Sequence, residues 1–226
     1  IYSILNLFDH HKEKIPNLFL QIFKKHPKLL RKDKQRIRVC VNEIIRYLGL
    51  IDHLIEVGSA RKIRHINPKI RNVLRLGIYE LVFDDITPDF AAIHSSVELA
   101  KKNINKKSSS MVNAVMRNIQ RLNQKNRNWK MSLIKEKIDL AYPKWLLKKW
   151  EDEFGKNVTK DLCAEFLNEK NMFIRLDIDR CSVEKMLSVL SHSNIKVTQH
   201  KHFKLFFKVV SNQKNIIDNN LFQNGI

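Results

Sequence analysis

At 226 residues the chain is long enough for one large domain or two small ones, and a hydrophobic content of 43% is enough for a core. With 42 Lys and Arg against 23 Asp and Glu the net charge is +19, which points to a polyanionic partner; a surface merely solvated by lysine is the plainer alternative. No run approaches the roughly 18 apolar residues of a membrane span, and the opening IYSILNLFDHHKEK lacks the pattern of a secretory leader, so a cytoplasmic protein without a membrane partner is expected.

Residue 1 is not Met and the first helix begins mid-turn, which reads as a truncated chain. Cys40, Cys163 and Cys181 are an odd set with no CxxC spacing, so reduced, buried thiols are expected. The basic excess is uneven: residues 1 to 128 hold 25 basic against 11 acidic side chains, the rest 17 against 12. No acid occurs between Glu98 and Glu136, an interval that includes Lys101, Lys102, Lys106, Lys107, Arg117, Arg121, Lys125, Arg127, Lys130 and Lys135.

In chain order, Ile1 to Phe8 reads as a helix, and Ile15 to Lys25 as a second with Leu18, Phe19, Ile22 and Phe23 on one face, ended by Pro27. Asp33 opens a longer helix to Tyr47, which Gly49 is expected to stop. A short helix from Ile51 to Val57 leads to the basic link RKIRH, with Arg61, Lys62 and Arg64. Asn67 then caps a helix with Pro68 in its first turn and Val73, Leu74, Gly77, Ile78, Leu81 and Val82 at helical spacing. Lys69, Arg71, Arg75 and Glu80 are its expected polar remainder, and its two apolar strips place it mid-domain.

After the Thr87-Pro88 turn, a helix buries Ile93, Val97 and Ala100 and ends in Lys101 and Lys102, where the helix dipole favours positive charge. Ser108 to Ser110 are expected to cap the next, with Met111, Val112, Val115, Ile119 and Leu122 inward and Arg117 and Arg121 exposed four residues apart. Two like charges held together suit an anion, although plain solvation is the common role of exposed arginines.

LNQKNRNW marks a boundary, giving a helical domain over 1–125, a linker over 126–141 and a small α+β domain over 142–226. In the last, KWLLKKWEDEF is a helix expected to pack Trp145, Leu146, Trp150 and Phe154, with helical pattern to about Asn168. MFIRLDI reads as a strand, SVEKMLSVLSHS as a helix, IKVTQH and KLFFKVVS as strands, and NIIDNNLFQNGI as a trailing linker. The fold class is therefore mainly α, an all-helical domain followed by a small α+β domain.

No catalytic constellation is present. Five glycines leave none for a phosphate-binding loop, and the close histidines (His10-His11, His192, His200, His202) have no Cys or acid at ligand spacing, so neither a metal nor a cofactor is expected in this chain. The adjacent acids Asp84-Asp85 and Glu151-Asp152-Glu153 point in different directions on helices and make poor acid/base pairs.

RNVLRLGIYELVF, the Pro88 turn, IHSSVELAKK and VNAVMRNIQR resemble, in order and spacing, the closing half of the NusB fold, an all-helical RNA-binding domain of transcription antitermination factors. DKQRIRVCVNEIIRYLGLIDHLI resembles the middle of that domain. YPKWLLKKWEDEFG, then NMFIRLDI, a helix and a glycine-poor β segment resemble the second piece of the RsmB/Sun group of the NOL1/NOP2/Sun family, enzymes that methylate C5 of a cytosine in small-subunit ribosomal RNA. RLDI at Arg175 to Ile178 departs from that family's RLN pattern at the Asn, and none of the three cysteines follows a proline as the family's nucleophile does.

The resemblance implies the amino-terminal, RNA-handling region of such an enzyme, with S-adenosylmethionine belonging to a catalytic domain outside these residues, no catalytic residue here, and ribosomal RNA as partner. The residues expected at the RNA are Lys101, Lys102, Lys106, Lys107, Arg117 and Arg121, then Arg61, Lys62 and Arg64. Three other roles stay open: a module docking a ribosomal protein or its own methyltransferase domain, an antitermination factor with an appendage, and an independent enzyme. The first is separated by nuclease-treated pull-down, the second is opposed by residues 142 to 178, and the third requires a methyl-transfer activity in this chain alone.

Overall fold

In a computed structural model the chain is described at residues 1–10, 13–125, 129–167, 171–211, 216 and 219–225. Residues 126–128 of the expected linker, with Arg127, lie outside the described residues, as do His11 and Asn168. The chain divides into two compact units, 1–167 and 168–226.

The first unit is all helical: α1 (Tyr2–His10), α2 (Ile15–Lys25), α3 (Arg31–Arg46), α4 (Leu48–Ser59), α5 (Pro68–Ile78), α6 (Asp89–Asn103), α7 (Lys106–Lys125), α8 (Trp129–Lys137) and α9 (Lys144–Leu167). α5 is its centre, packed on α1, α4, α6 and α7. Asn67 caps it by accepting from the Lys69 N–H, Pro68 occupies the first turn, and Val73, Leu74 and Ile78 are fully buried. Its expected continuation widens into a π turn over Tyr79–Phe83, closed by the Asp84 N–H donating to the Tyr79 carbonyl. A second apolar cluster of Ile4, Leu18, Phe19, Ile22, Phe23 and Val41 joins α1, α2 and α3.

Several expectations are corrected. Gly49 does not stop α3; it lies in the first turn of α4, where a Cβ would sit 1.7 Å from the Leu140 carbonyl oxygen. Glycine is required there because the 3-10 turn Ile138–Ala141 crosses α4 backbone to backbone. Residues 129–141, expected as linker, form α8 and a 3-10 turn, and Leu133 of α8 is part of the main core. The cap of α7 is Asn105, whose Oδ1 accepts from the Ser108 N–H at 2.8 Å, so Ser108 to Ser110 fall inside the helix. Arg75 is no part of a polar exterior: it is 5% exposed.

α9 breaks at Gly155, whose φ of 77° is available to glycine at little cost. Leu147, Trp150, Cys163 and Leu167 pack with Ile138 and Tyr142, whereas Trp145, at 69% exposure, and Phe154 face solvent. The inward face of α9 is thus the one aimed at the 138–142 segment, a direction that spacing alone does not reveal. All three cysteines are buried and free.

The second unit has β1 (Met172–Arg175), α10 (Val183–His192), β2 (Val197–Gln199), β3 (Phe206–Val209) and α11 (Asn220–Gln223), the expected strand, helix, strand, strand order. The antiparallel sheet runs β1-β3-β2, with Phe173 opposite Lys208, Arg175 opposite Phe206 and Thr198 opposite Lys208. Ser182 caps α10 through the Lys185 N–H. Leu176, Met186, Leu190, Ile195, Phe207 and Val209 form the core, and Ile216 and Leu221, expected in a trailing linker, are part of it.

Candidate nucleic-acid interface

The basic residues singled out in the sequence fall in three places. Lys101 and Lys102 end α6, Ile104 and Asn105 turn the chain, and Lys106 and Lys107 open α7, all four lysines exposed. The α6 dipole favours the first pair and the α7 dipole disfavours the second, so helix stability does not account for Lys106 and Lys107. Lys101 has an exposed, 3.7 Å pairing with Glu98, which solvent screens.

The RKIRH link is held tightly. Ala60 ends α4 in the left-handed region, the Arg61 N–H donates to Ser59 Oγ at 3.2 Å, and Ile63–His65 form a 3-10 turn. Glu56 accepts from the Ile63 N–H at 2.9 Å, a bond that, with Lys62 3.6 Å away, keeps its carboxyl below the ordinary range. The Lys62–Glu56 pair is exposed at the lysine and screened by solvent, which leaves Lys62 available to an anion, while the Arg64 Nε donates to His65 Nε2 at 3.2 Å.

Two of these segments converge. Arg61, His65, Asn67, Asn105, Lys107 and Ser108 rim a groove of about 360 Å³ floored by Ile66, Ile70 and Met111. Arg61 and Lys107, forty-six positions apart in sequence, thus share one cleft with amide and imidazole groups. Arg117 and Arg121 do not line it. They lie on α7 at least ten residues beyond Lys107, about 15 Å along the axis. Arg117 donates to Gln120 at 3.0 Å, which donates to Asp89, and Arg121 donates to Asn118.

The same helical unit holds a polar cluster, joining α1, α4 and α5, that the sequence did not announce. Arg75 donates to both oxygens of Asp52 at 2.7 Å and to Asp9 at 3.0 and 3.1 Å. Arg71 reaches Asp9 at 2.9 Å, and Asn72 reaches Asn6 and Asp9. Burial disfavours the charged Arg75, but the Asp52 and Asp9 partners outweigh it and raise its pKa. Burial likewise works against the Asp9 carboxylate, and Arg71 and Arg75 hold it below the ordinary value. Asp84 is similarly depressed, against burial, by Arg36 and Thr87. These acids are neutralised by arginines of the fold, which leaves the exposed lysines and arginines to set the outward potential. The signal in sequence was Asn72 and Arg75, three apart on either side of the buried Val73 and Leu74; their partners, up to 66 residues away, gave none.

Among the described residues no helix is long and apolar enough to cross a membrane, and no group of three or more His, Cys, Asp or Glu is arranged to hold a metal ion.

The two parts, a helical domain centred on α5 and a β-α-β-β module, each match a known family. Residues 2–121 match the NusB family, and residues 142–210 match the family described as the RsmF/B-like methyltransferase ferredoxin-like domain. The chain belongs to the NusB family, in the form that carries this second domain.

The chain is 32% identical over 178 residues to the probable ribosomal RNA small subunit methyltransferase B of Synechocystis sp. (strain ATCC 27184 / PCC 6803 / Kazusa), covering 77% of this chain and 39% of that one. It spans well under half the length of the curated methyltransferases it matches. The crystal structure of PH0851 superposes with a TM-score of 0.56 at 16% identity, over 100% of this chain and 50% of that one, a likeness of fold. A crystal structure of the antitermination factors NusB and NusE in complex with dsRNA superposes with a TM-score of 0.50 at 25% identity, over 54% of this chain and 90% of that one.

Proposed function

We propose that the chain is the amino-terminal, RNA-positioning region of an S-adenosylmethionine-dependent enzyme that methylates C5 of a cytosine in small-subunit ribosomal RNA. The likeness to ribosomal RNA methyltransferases supports the enzyme part of this reading, and the observation that carries RNA positioning is the groove in which Arg61 and Lys107 converge with Asn67, Asn105 and His65. Two flexible or forked cations on a concave rim suit phosphates, while the side-chain amide N–H groups of Asn67 and Asn105 and the imidazole N–H offer donors to bases and to 2′-hydroxyls. Lys101, Lys102 and Lys106 flank the same turn and extend the positive field along the approach of the RNA. Arg117 and Arg121 form a separate, more distal contact on α7. The methyl donor is a matter for the catalytic domain of the whole enzyme, and this region supplies orientation and affinity rather than chemistry.

The test is binding of small-subunit ribosomal RNA fragments to the chain, with pull-down before and after nuclease digestion. Retention of RNA, and loss of any associated ribosomal protein after digestion, supports the reading. A ribosomal protein that stays bound after digestion, with no RNA affinity of the chain itself, would replace it by a protein-docking role.

A further inference from the structure

We propose that the open face of the three-stranded sheet in the second unit is a second RNA-binding surface, one that stacks the bases of a single-stranded segment. It is separate from the groove in the helical unit and stands on its own observations.

Strand alternation divides the sheet cleanly. Met172, Ile174, Phe207 and Val209 belong to the core side with α10, so Phe173, Arg175, Phe206, Lys208 and Thr198 share the opposite face. Phe173 and Phe206 are 44% and 38% exposed, a position in which a large aromatic gains little from the fold. They occupy diagonal positions on adjacent strands, about 7–8 Å apart, so each ring can meet a different nucleotide.

The rings are not isolated. His200 lies 5.6 Å from Phe173 and 5.0 Å from Phe203, and Phe203 lies 5.7 Å from Phe206, so four flat groups border one patch. The His200 Nδ1 accepts from the N–H groups of His202 and Phe203, which fixes the ring and leaves Nε2 for a ligand.

Charge identifies the occupant. Arg175 and Lys208 interleave with the rings, and neither is paired with a carboxylate among the described residues. From Lys185 to Ile217 the sequence contains no acid at all. A protein partner would be met equally well by an uncharged apolar face; alternating aromatics and cations, with the neighbouring Asp177 carboxylate bridged by Arg180 at 3.5 Å, match the faces of bases and the phosphates between them.

The experiment measures fluorescence anisotropy of a short, labelled, unstructured oligoribonucleotide with the whole chain across a salt series. Phe173→Ala and Phe206→Ala are expected to weaken binding about tenfold each with the salt slope unchanged, because stacking is lost and no phosphate contact is. Lys208→Glu is expected to lower the slope by about 0.7 or more. Phe206→Trp should keep the affinity and show emission quenched by RNA beyond that of the native chain, whose tryptophans all lie in the helical unit. Unchanged affinity in both alanine variants with an unquenched Phe206→Trp would overturn the proposal and leave the face to a protein, such as another domain of the same polypeptide. Groove variants with native affinity, beside sheet variants without it, would fail the groove reading alone.

Discussion

Arg75 and Asp52 are joined by two parallel hydrogen bonds of 2.7 Å, Nε to Oδ1 and Nη2 to Oδ2, and the same guanidinium also serves Asp9. The fork ties α4 and α1 to α5, and its planar geometry cannot be reproduced by a lysine. Arg75→Ala leaves two carboxylates without their shared partner and should destabilise the helical unit by roughly 3 kcal/mol. Arg75→Lys should recover only part of that. Denaturant midpoints at constant m-value measure it, and a loss below about 0.5 kcal/mol, the scale of an exposed pair, contradicts a structural role.

The same cluster fixes a pH dependence. The folded-state pKa of Asp9 lies below its ordinary value, because Arg71 and Arg75 outweigh burial. A depressed folded pKa means that the stabilisation is present above the unfolded value of about 3.9 and is lost as pH falls through the folded one. Glu80, raised by burial and by Asp84, works in the opposite sense, so the Asp9 contribution is the difference between the native chain and Asp9→Asn. The native chain should lose stability below about pH 4 more steeply than Asp9→Asn. Parallel acid limbs in the two proteins contradict the assignment.

Two glycines are needed for different reasons, and alanine separates them. At Gly49 the new Cβ would meet the Leu140 carbonyl oxygen at 1.7 Å, so Gly49→Ala should force α4 and the 138–141 turn apart and destabilise by about 1–3 kcal/mol. At Gly155 a Cβ meets nothing within 4 Å, and only the φ of 77° is strained. Gly155→Ala should cost about 1–2 kcal/mol. Its effect should stay in α9, leaving amide exchange in α4 native, whereas Gly49→Ala should accelerate exchange there.

The helices were readable where an apolar stripe meets a clear stop: Ile15–Lys25 has the bounds that Pro27 and the Leu18, Phe19, Ile22, Phe23 stripe set, and Asn67 caps α5. The strand, helix, strand, strand order was readable from period and β-branched content. What was not readable depends on partners distant in sequence. Gly49 looks like a stop until Leu140 is placed against it, and Arg75 looks exposed until Asp9 and Asp52 arrive. Trp145 and Phe154 look like core until the segment on which α9 packs is known. For the site, the sequence supplied a set of cations by composition; the fold divides it, joining Arg61 to Lys107 and leaving Arg117 and Arg121 further along α7.

The division of the cations into a groove pair and a distal pair is read from the salt dependence of RNA affinity. The native chain, the Arg61→Ala/Lys107→Ala pair and the Arg117→Ala/Arg121→Ala pair would be titrated with one single-stranded ribosomal RNA fragment across a salt series. The groove pair should lose affinity and lower the slope of log K against log salt by about 1.4, two phosphate contacts at roughly 0.7 each, with a smaller change in the distal pair. Native affinity and slope in the groove pair would contradict the account.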